Sequence, residues 1–150
     1  MCIRDRYVQL FSLAANALSK LGKGNKENQI KIAEVGAIPS LVALLGTPIP
    51  ELQANAAECL GHLSDKNPDN QASIARTGAI APLCTLVREG ADGVKEQASA
   101  ALWSLSNENK PNKDTIAKLG GIEPLISLTV SGTTENSLVQ ATGALASLCS

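Results

Sequence analysis

The sequence has few of the residues on which most active sites depend. Only 2% of its 150 residues are aromatic, and it has one tryptophan, one tyrosine, one phenylalanine and one histidine. The apolar residues, 44% of the chain, are therefore chiefly alanine, leucine, isoleucine and valine. A core of small aliphatic side chains suits closely packed helices, so the composition favours an all-α fold.

The chain also lacks an excess of charge and any long apolar run. Its formal net charge is −1, so no basic field attracts a nucleic acid or an acidic membrane surface. No apolar run approaches the roughly 20 residues that a helix needs to cross a bilayer. We therefore expect neither a nucleic-acid partner nor a membrane span.

Cysteine and histidine are too sparse to form a metal centre. Cys2, Cys59, Cys84 and Cys149 lie far apart and form no C-x-x-C pair, which excludes the usual zinc and dithiol motifs and indicates buried thiols in a reducing compartment. His62 has no second histidine as a co-ligand and no nucleophile placed beside it. We therefore expect no metal, no cofactor and no catalytic residue, and a location in the cytoplasm or the nucleus.

What the sequence does contain is a repeat of 42 residues. The stretch 74–106 (IARTGAIAPLCTLVREGADGVKEQASAALWSLS) matches 32–64 when shifted by 42 positions, and its first part matches 116–129. A fixed period of this length is the signature of units that stack one on another. The chain is therefore predicted to be a repeat array.

Each unit ends in a long helix, which we call the third helix, with apolar residues at i, i+3, i+4 and i+7. The four copies of this face are Ala14, Ala17, Leu18 and Leu21; Ala56, Cys59, Leu60 and Leu63; Ala98, Ala101, Leu102 and Leu105; and Ala141, Ala144, Leu145 and Leu148. The last copy is displaced by 43 residues, so one extra residue is expected in the loop around 131–135.

A short first helix opens each unit and is predicted over 29–35, 71–77 and 113–119. We predict that its N-caps are Asn28, Asn70 and Asn112, because asparagine accepts hydrogen bonds from free N–H groups at a helix start. Its predicted ends are Gly36, Gly78 and Gly120, which allow a left-handed turn.

The second helix follows at once, with a proline tolerated in its first turn. These prolines are Pro39, Pro82 and Pro124. The inward residues are predicted to be Ile38, Leu41, Leu44 and Leu45; Ile80, Leu83, Leu86 and Val87; and Ile122, Leu125 and Leu128.

These signals divide the chain into three full units with a partial unit before them. We predict a third helix over 8–21 and units over 22–64, 65–106 and 107–150. Residues 1–7 form a leader outside the repeat, since MCIRDR resembles an adapter-derived sequence of assembled transcripts. The array begins and ends on a third helix without a polar cap, so we expect a fragment of a longer array, or one that self-associates through its ends.

Three helices in about 42 residues, with G-A-I-x-P-L-x-x-L in the middle, resemble the armadillo repeat. The resemblance covers nearly the whole chain. It implies a right-handed α-solenoid whose third helices line a concave groove. It also implies a scaffold or adaptor that holds extended peptides there, as do catenins, importin-α and the armadillo regions of plant ubiquitin ligases.

The sequence departs from importin-α at the residues that clamp a basic peptide. The clamp asparagine of the third helix corresponds to Lys20, His62, Ser104 and Ser147, and the clamp tryptophan to Asn16, Glu58, Ala100 and Gly143. None of the first four residues is asparagine, and none of the second four is tryptophan. The resemblance therefore argues against a role in nuclear import.

Helical geometry predicts which residues face the groove, at about a third of a turn from the apolar face. This predicted row is mostly small and polar: Asn16, Lys20, Asn55, Glu58, His62, Gln97, Ser104, Asn107, Gln140 and Ser147. Trp103 is the candidate anchor beside the row, since exposed tryptophan is enriched at binding hot spots. The alternative for Trp103 is packing over a neighbouring loop.

The sequence thus predicts a non-catalytic module that binds an extended peptide or a partner helix. Two alternatives remain open: the substrate-receptor segment of a larger ubiquitin ligase, and a nuclear import adaptor that lacks the usual clamp. The row has no uniform charge, so it does not identify the partner.

Overall fold

The structure, a computed structural model, describes residues 2–132 and 134–150. These residues form ten α-helices and no strand. The helices are α1 (Ile3–Gly22), α2 (Lys26–Glu34), α3 (Ala37–Leu45), α4 (Pro50–Ser64), α5 (Pro68–Arg76), α6 (Ile80–Glu89), α7 (Asp92–Ser106), α8 (Lys110–Lys118), α9 (Ile122–Ser131) and α10 (Glu135–Cys149). The prediction of an extra residue around 131–135 includes residue 133, which lies outside the described residues.

The third helices α1, α4, α7 and α10 stack side by side and make the most extensive contacts in the molecule. The first and second helices of each unit lie beside their own third helix and contact those of the next unit. Each unit therefore covers its neighbour, which confirms the predicted all-α solenoid. Helix α1 begins at Ile3, so most of the predicted leader is a helical extension of the first third helix.

The centre of the core lies between α4, α7 and α10. The predicted apolar faces of α4 and α7 have no exposed surface, and the four leucines Leu60, Leu63, Leu102 and Leu105 are 0% exposed. In α10 the two alanines of the face are buried and its two leucines are half-buried. Burial of these faces against neighbouring units supplies most of the hydrophobic stabilisation.

The predicted core face of α1 is not buried. Ala14, Ala17 and Leu21 are exposed, and Leu18 is only half-buried. The reason is that, within the described residues, no first and second helix cover that face. Helix α1 instead buries small residues against the following unit, namely Ser12, Ala15, Ser19 and Gly22.

The second helices behave as predicted in the first two units and differ in the last. Ile38 and Ile80 are each 2% exposed, because the following unit covers them. Their counterpart Ile122 is 39% exposed, so the inward position predicted for it is wrong. Among the described residues no further unit covers α9, and Ile126 and Val130 on the same helix are also exposed.

The asparagines that cap the first helices are the ones three residues before those predicted. The side chains of Asn25, Asn67 and Asn109 accept hydrogen bonds from the backbone N–H groups of Asn28, Asn70 and Asn112. The predicted caps therefore lie inside the first turn. Their amides donate to the last turn of the preceding third helix, at the carbonyl oxygens of Leu21, Leu63 and Leu105.

The turn between the first and second helices has the predicted left-handed conformation. Gly36, Gly78 and Gly120 have φ angles of 81°, 86° and 72°. A side chain at such a φ is strained, which explains why this position is glycine in all three units. The predicted prolines lie in the first turn of α3, α6 and α9.

Hydrogen bonds between buried side-chain amides and backbone carbonyls link successive units where a first helix follows a third helix. In the second unit, Gln71 Nε2 donates to the carbonyl oxygens of Ser104 (2.8 Å) and Asn107 (3.1 Å). Gln71 Oε1 accepts from Asn109 Nδ2 of the next unit at 3.0 Å. Gln29 makes two corresponding bonds: its Nε2 donates to the carbonyl oxygen of His62, and its Oε1 accepts from Asn67 Nδ2. Its Nε2 also donates to the carbonyl oxygen of Gly22, on the preceding third helix, in place of the bond that Gln71 makes to Asn107. These bonds satisfy polar groups that the stacking would otherwise bury unpaired.

All four cysteines are free, but only two are buried, contrary to the sequence interpretation. Burial raises the pKa of Cys59 to about 12 and that of Cys84 to about 11. Both thiols therefore stay protonated near neutral pH and are poor nucleophiles. Cys2 and Cys149 lie exposed near the two ends of the array.

Candidate protein-binding groove

The stacked third helices form a concavity that gathers five of the ten residues of the predicted row, together with Trp103. It has a volume of about 490 Å³ and is formed by α4, α7 and α10 with the loop after α4. Six of the predicted residues line it: His62, Gln97, Trp103, Ser104, Asn107 and Gln140. We call this concavity the groove.

Four residues of the predicted row lie outside the groove, on α1 and the first part of α4: Asn16, Lys20, Asn55 and Glu58. Lys20 is exposed, and the other three are half-buried. Asn55 is engaged within the array, because its Nδ2 donates to Ser12 Oγ at 2.7 Å. The row predicted as one continuous surface is therefore divided, and half of it is gathered around α7, between α4 and α10.

His62 joins the end of the groove to the preceding unit. Its Nδ1 lies 2.8 Å from Ser19 Oγ on α1, and its side chain is half-buried at the edge of the groove. This hydrogen bond holds the imidazole in one orientation. His62 is therefore an ordered polar side chain with one ring edge towards the groove.

Ser147 does not face the groove, which differs from the sequence interpretation. It is 8% exposed, and its hydroxyl accepts a hydrogen bond from Ser106 Oγ at 2.9 Å. The packing of α10 against α7 turns this position inward. Ser147 therefore contributes to the contact between the units and offers no surface to a partner.

Sequence reasoning missed two charged residues of the groove, Asp65 and Lys66. Both belong to the loop between α4 and α5. The repeat register could have found Asp65, because it lies 42 positions before Asn107, which the prediction included. The groove therefore carries charges of both signs at one end and neutral side chains along its length.

The neutral side chains of the groove are free to bind a ligand. Within the described residues, the side chains of Gln97, Ser104, Asn107 and Gln140 make no hydrogen bond to another residue. Amides supply both donors and acceptors, and the serine hydroxyl can do either. Side chains of this kind, spaced along a concave surface, can pair with the N–H and C=O groups of an extended peptide.

Trp103 is accessible in the groove, and it also packs within the array, against a helix and not over the loop that the alternative prediction named. It is 37% exposed and lines the groove, while its ring lies on the backbone of the next third helix at Gly143. A Cβ at Gly143 would lie 2.5 Å from the indole Cε3. The missing side chain of Gly143 therefore makes room for the indole, whose outer surface is open to the groove.

We expect Gly143→Ala to displace the Trp103 ring. The added methyl group overlaps the indole, and overpacking of this kind costs about 1–3 kcal/mol of unfolding free energy. Trp103 is the only tryptophan, so a shift of its emission maximum reports the displacement directly. Gly93→Ala is the control, because a Cβ there would meet no atom within 4 Å. Unchanged emission in Gly143→Ala would contradict the packing described.

Two further features of the described residues bear on the class of site. No three His, Cys, Asp or Glu side chains come together in an arrangement that could hold a metal ion. In the same residues, no helix combines the length and the apolarity needed to cross a membrane.

Stacked three-helix units with a concave face of third helices define an α-solenoid repeat protein. The family model of the armadillo/beta-catenin-like repeat matches residues 25–65, 67–107 and 109–150. The chain therefore belongs to the armadillo repeat family, as the repeat pattern of the sequence predicted.

Solved structures similar to this chain include designed armadillo repeat proteins. One has a TM-score of 0.85 and 26% identity over 91% of this chain and 57% of its own. A second, in complex with the peptide (KR)4, has a TM-score of 0.83 and 25% identity over 91% and 57%. A third, computationally designed for modular peptide recognition, has a TM-score of 0.83 and 26% identity over 93% and 58%.

The chain therefore spans less than three-fifths of each of these structures. A comparison with curated proteins found no match.

Proposed function

We propose that the chain is a non-catalytic protein-interaction module that holds an extended peptide, or a partner helix, in the groove. The observation that carries this proposal is the position of Trp103, half exposed among four neutral polar side chains with no intramolecular partner. An aromatic surface provides contact area at little entropic cost, and the flanking amides provide hydrogen bonds. Two of the similar structures are a designed protein bound to a peptide and one designed for peptide recognition.

A location in the cytoplasm or the nucleus is part of the same proposal. Its support is that all four cysteines are free thiols, which is usual in reducing compartments. The groove differs from a basic-peptide site in having serine and alanine at positions 104 and 100. We therefore propose a partner other than a basic import signal.

The test is affinity capture from cell extract, followed by mass spectrometry. The chain is compared with Gln97→Arg/Ser104→Arg, which places two bulky charges in the groove. A matched variant, Ala81→Arg/Thr85→Arg, adds the same charges to the exposed face of α6. Circular dichroism and melting curves establish that the three proteins are equally folded.

We expect partners that the parent and the α6 variant retain and the groove variant loses. Since large effects concentrate at a few central residues, the loss should exceed tenfold in captured amount, about 1.4 kcal/mol. Identical captures by all three proteins would refute the groove as the working surface.

A further inference from the structure

The loop between a third helix and the next first helix has one residue in a left-handed conformation. In the three loops this residue is Gly24, Lys66 and Glu108, with φ angles of 65°, 51° and 53°. Lys66 and Glu108 are the described residues other than glycine that have a positive φ. Two of the three loops therefore place a long charged side chain where the first has glycine.

The backbone conformation itself does not require these side chains. A Cβ at positive φ crowds the following carbonyl, so glycine is the least strained residue there. Gly24 makes the same turn, and Asn25 after it caps the next helix just as Asn67 and Asn109 do. Lysine and glutamate therefore add backbone strain at these two positions, although the turn itself can be made by glycine.

The rest of the chain does not offset the cost either. The ion pairs among the described residues are Lys31–Glu27 and Lys110–Asp114. Neither Lys66 nor Glu108 takes part, and both side chains are exposed. Strain without a compensating contact is typical of positions that serve function.

Lys66 lines the groove, and Glu108 lies in a concavity that adjoins it. Lys66 and Glu108 line one concavity of about 330 Å³ together with Pro68, Gln71 and Asn107. Lys66 and Asn107 also line the groove itself. We call Lys66 and Glu108 the rim pair. The rim pair consists of a positive charge in the second full unit and a negative charge at the equivalent position of the third.

We propose that the rim pair determines the order of the charged residues in a peptide that lies in the groove. Lys66 binds an acidic side chain of the peptide, and Glu108 binds a basic one. This inference rests on the proposed function. Neighbouring helices lie about 8–10 Å apart, and an extended chain rises about 3.3 Å per residue. The partner is therefore a peptide whose acidic and basic residues are separated by about three positions, in one order along the chain.

The test selects a displayed library of random 12-residue peptides on two proteins, the parent and Lys66→Glu/Glu108→Lys. We expect the parent to enrich peptides with an acidic and a basic residue about three positions apart, in one order. The exchanged variant should enrich the opposite order. It should bind the best parent peptide at least about tenfold more weakly, because two attractive pairs become repulsive. Enrichment of the same peptides by both proteins would overturn the inference.

A third selection, on Gln97→Arg/Ser104→Arg, separates the two proposals. One outcome is a set of peptides that fail to bind this variant and yet bind the charge-exchanged variant as well as they bind the parent. Such peptides would support the groove as the binding surface and refute the role of the rim pair. A parent that enriches no peptide, or peptides that the arginines leave unaffected, would refute the proposed function and the rim pair with it.

The strain argument has its own measurement. Lys66→Gly/Glu108→Gly removes both charges and relieves both backbone positions. We expect its melting midpoint to rise by about 2–4 °C, while the preference for one order of charges in the selected peptides disappears. A lower midpoint would mean that the two side chains support the fold, which would contradict their assignment to partner binding.

Discussion

Leu105→Ala lowers the free energy of unfolding by about 2–5 kcal/mol, the cost of removing a buried leucine and leaving a cavity. Leu105 is 0% exposed and lies on α7, which has a third helix on either side of it. A cavity there weakens the covering of both neighbours, and the stability of a repeat array depends on such nearest-neighbour contacts. Guanidinium denaturation followed by circular dichroism measures the change.

The chain contains its own control for this prediction. Leu21 has the same place in the repeat as Leu105, two periods earlier, but it is 56% exposed. Leu21→Ala should therefore change the free energy of unfolding by no more than about 0.5 kcal/mol. Comparable losses from the two substitutions would contradict the account of which third-helix faces are covered.

Gln71→Ala is the second large effect, with an expected loss of about 2–4 kcal/mol. The substitution removes three hydrogen bonds, which leaves two carbonyl oxygens and the amide of Asn109 without their partner. Each buried polar group left unpaired costs about 1–3 kcal/mol, and solvent entering the loop offsets part of the sum. The same denaturation experiment measures it, and hydrogen exchange at α8 should also accelerate.

Lys113 is the matched control, because it has the place of Gln71 in the last unit. Its Nζ donates to Ser150 Oγ at 2.9 Å in an exposed setting. Lys113→Ala should change the free energy of unfolding by less than about 0.5 kcal/mol. If the Gln71 and Lys113 substitutions cost the same, the buried amides do not couple the units.

The period of 42 residues was enough to predict the helices and their stacking, because each signal recurs in register. The prediction of three helices per unit, the glycine that ends the first helix and the proline that opens the second are all confirmed. A repeat signal is stronger than a single helix pattern, because a glycine that had no structural role would not be found at all three equivalent positions, 36, 78 and 120.

The sequence could not identify the capping asparagine. Two sets of asparagines, three residues apart, recur with the same period, and both make hydrogen bonds at the start of the helix. Capping requires extended backbone angles, which Asn25 has with φ −123° and ψ 96°. Because these angles do not show in a residue pattern, the choice of Asn28 over Asn25 was wrong.

The sequence pattern also could not predict which apolar faces are buried at the ends of the array. An apolar period shows which face can be buried, but burial also requires another unit to cover it. Leu21 and Ile122 follow the pattern and are exposed, because they lie at the two ends of the stack. Buried Ser147 is the converse case: a polar residue is turned inward where α10 packs on α7.

The sequence predicted the groove residues that lie on α7, but it did not predict the charged residues at the edge of the groove. Helical angles place Gln97 and Ser104 on one face, and both line the cavity. Asp65 and Lys66 belong to a loop, where no helical period applies. The left-handed backbone of Lys66 turns this loop towards the groove. A residue pattern does not show that turn, so the position of the two charges is known only from the structure.

Site-specific photo-crosslinking tests the central claim, that the third helices form the partner-binding surface, most directly. A photoreactive amino acid replaces Ala100 in the groove or Ala81 on the exposed face of α6, and the protein is irradiated in cell extract. We predict a discrete protein adduct from position 100 and none from position 81. Adducts from position 81 alone would contradict the account and move the interaction surface to the second helices.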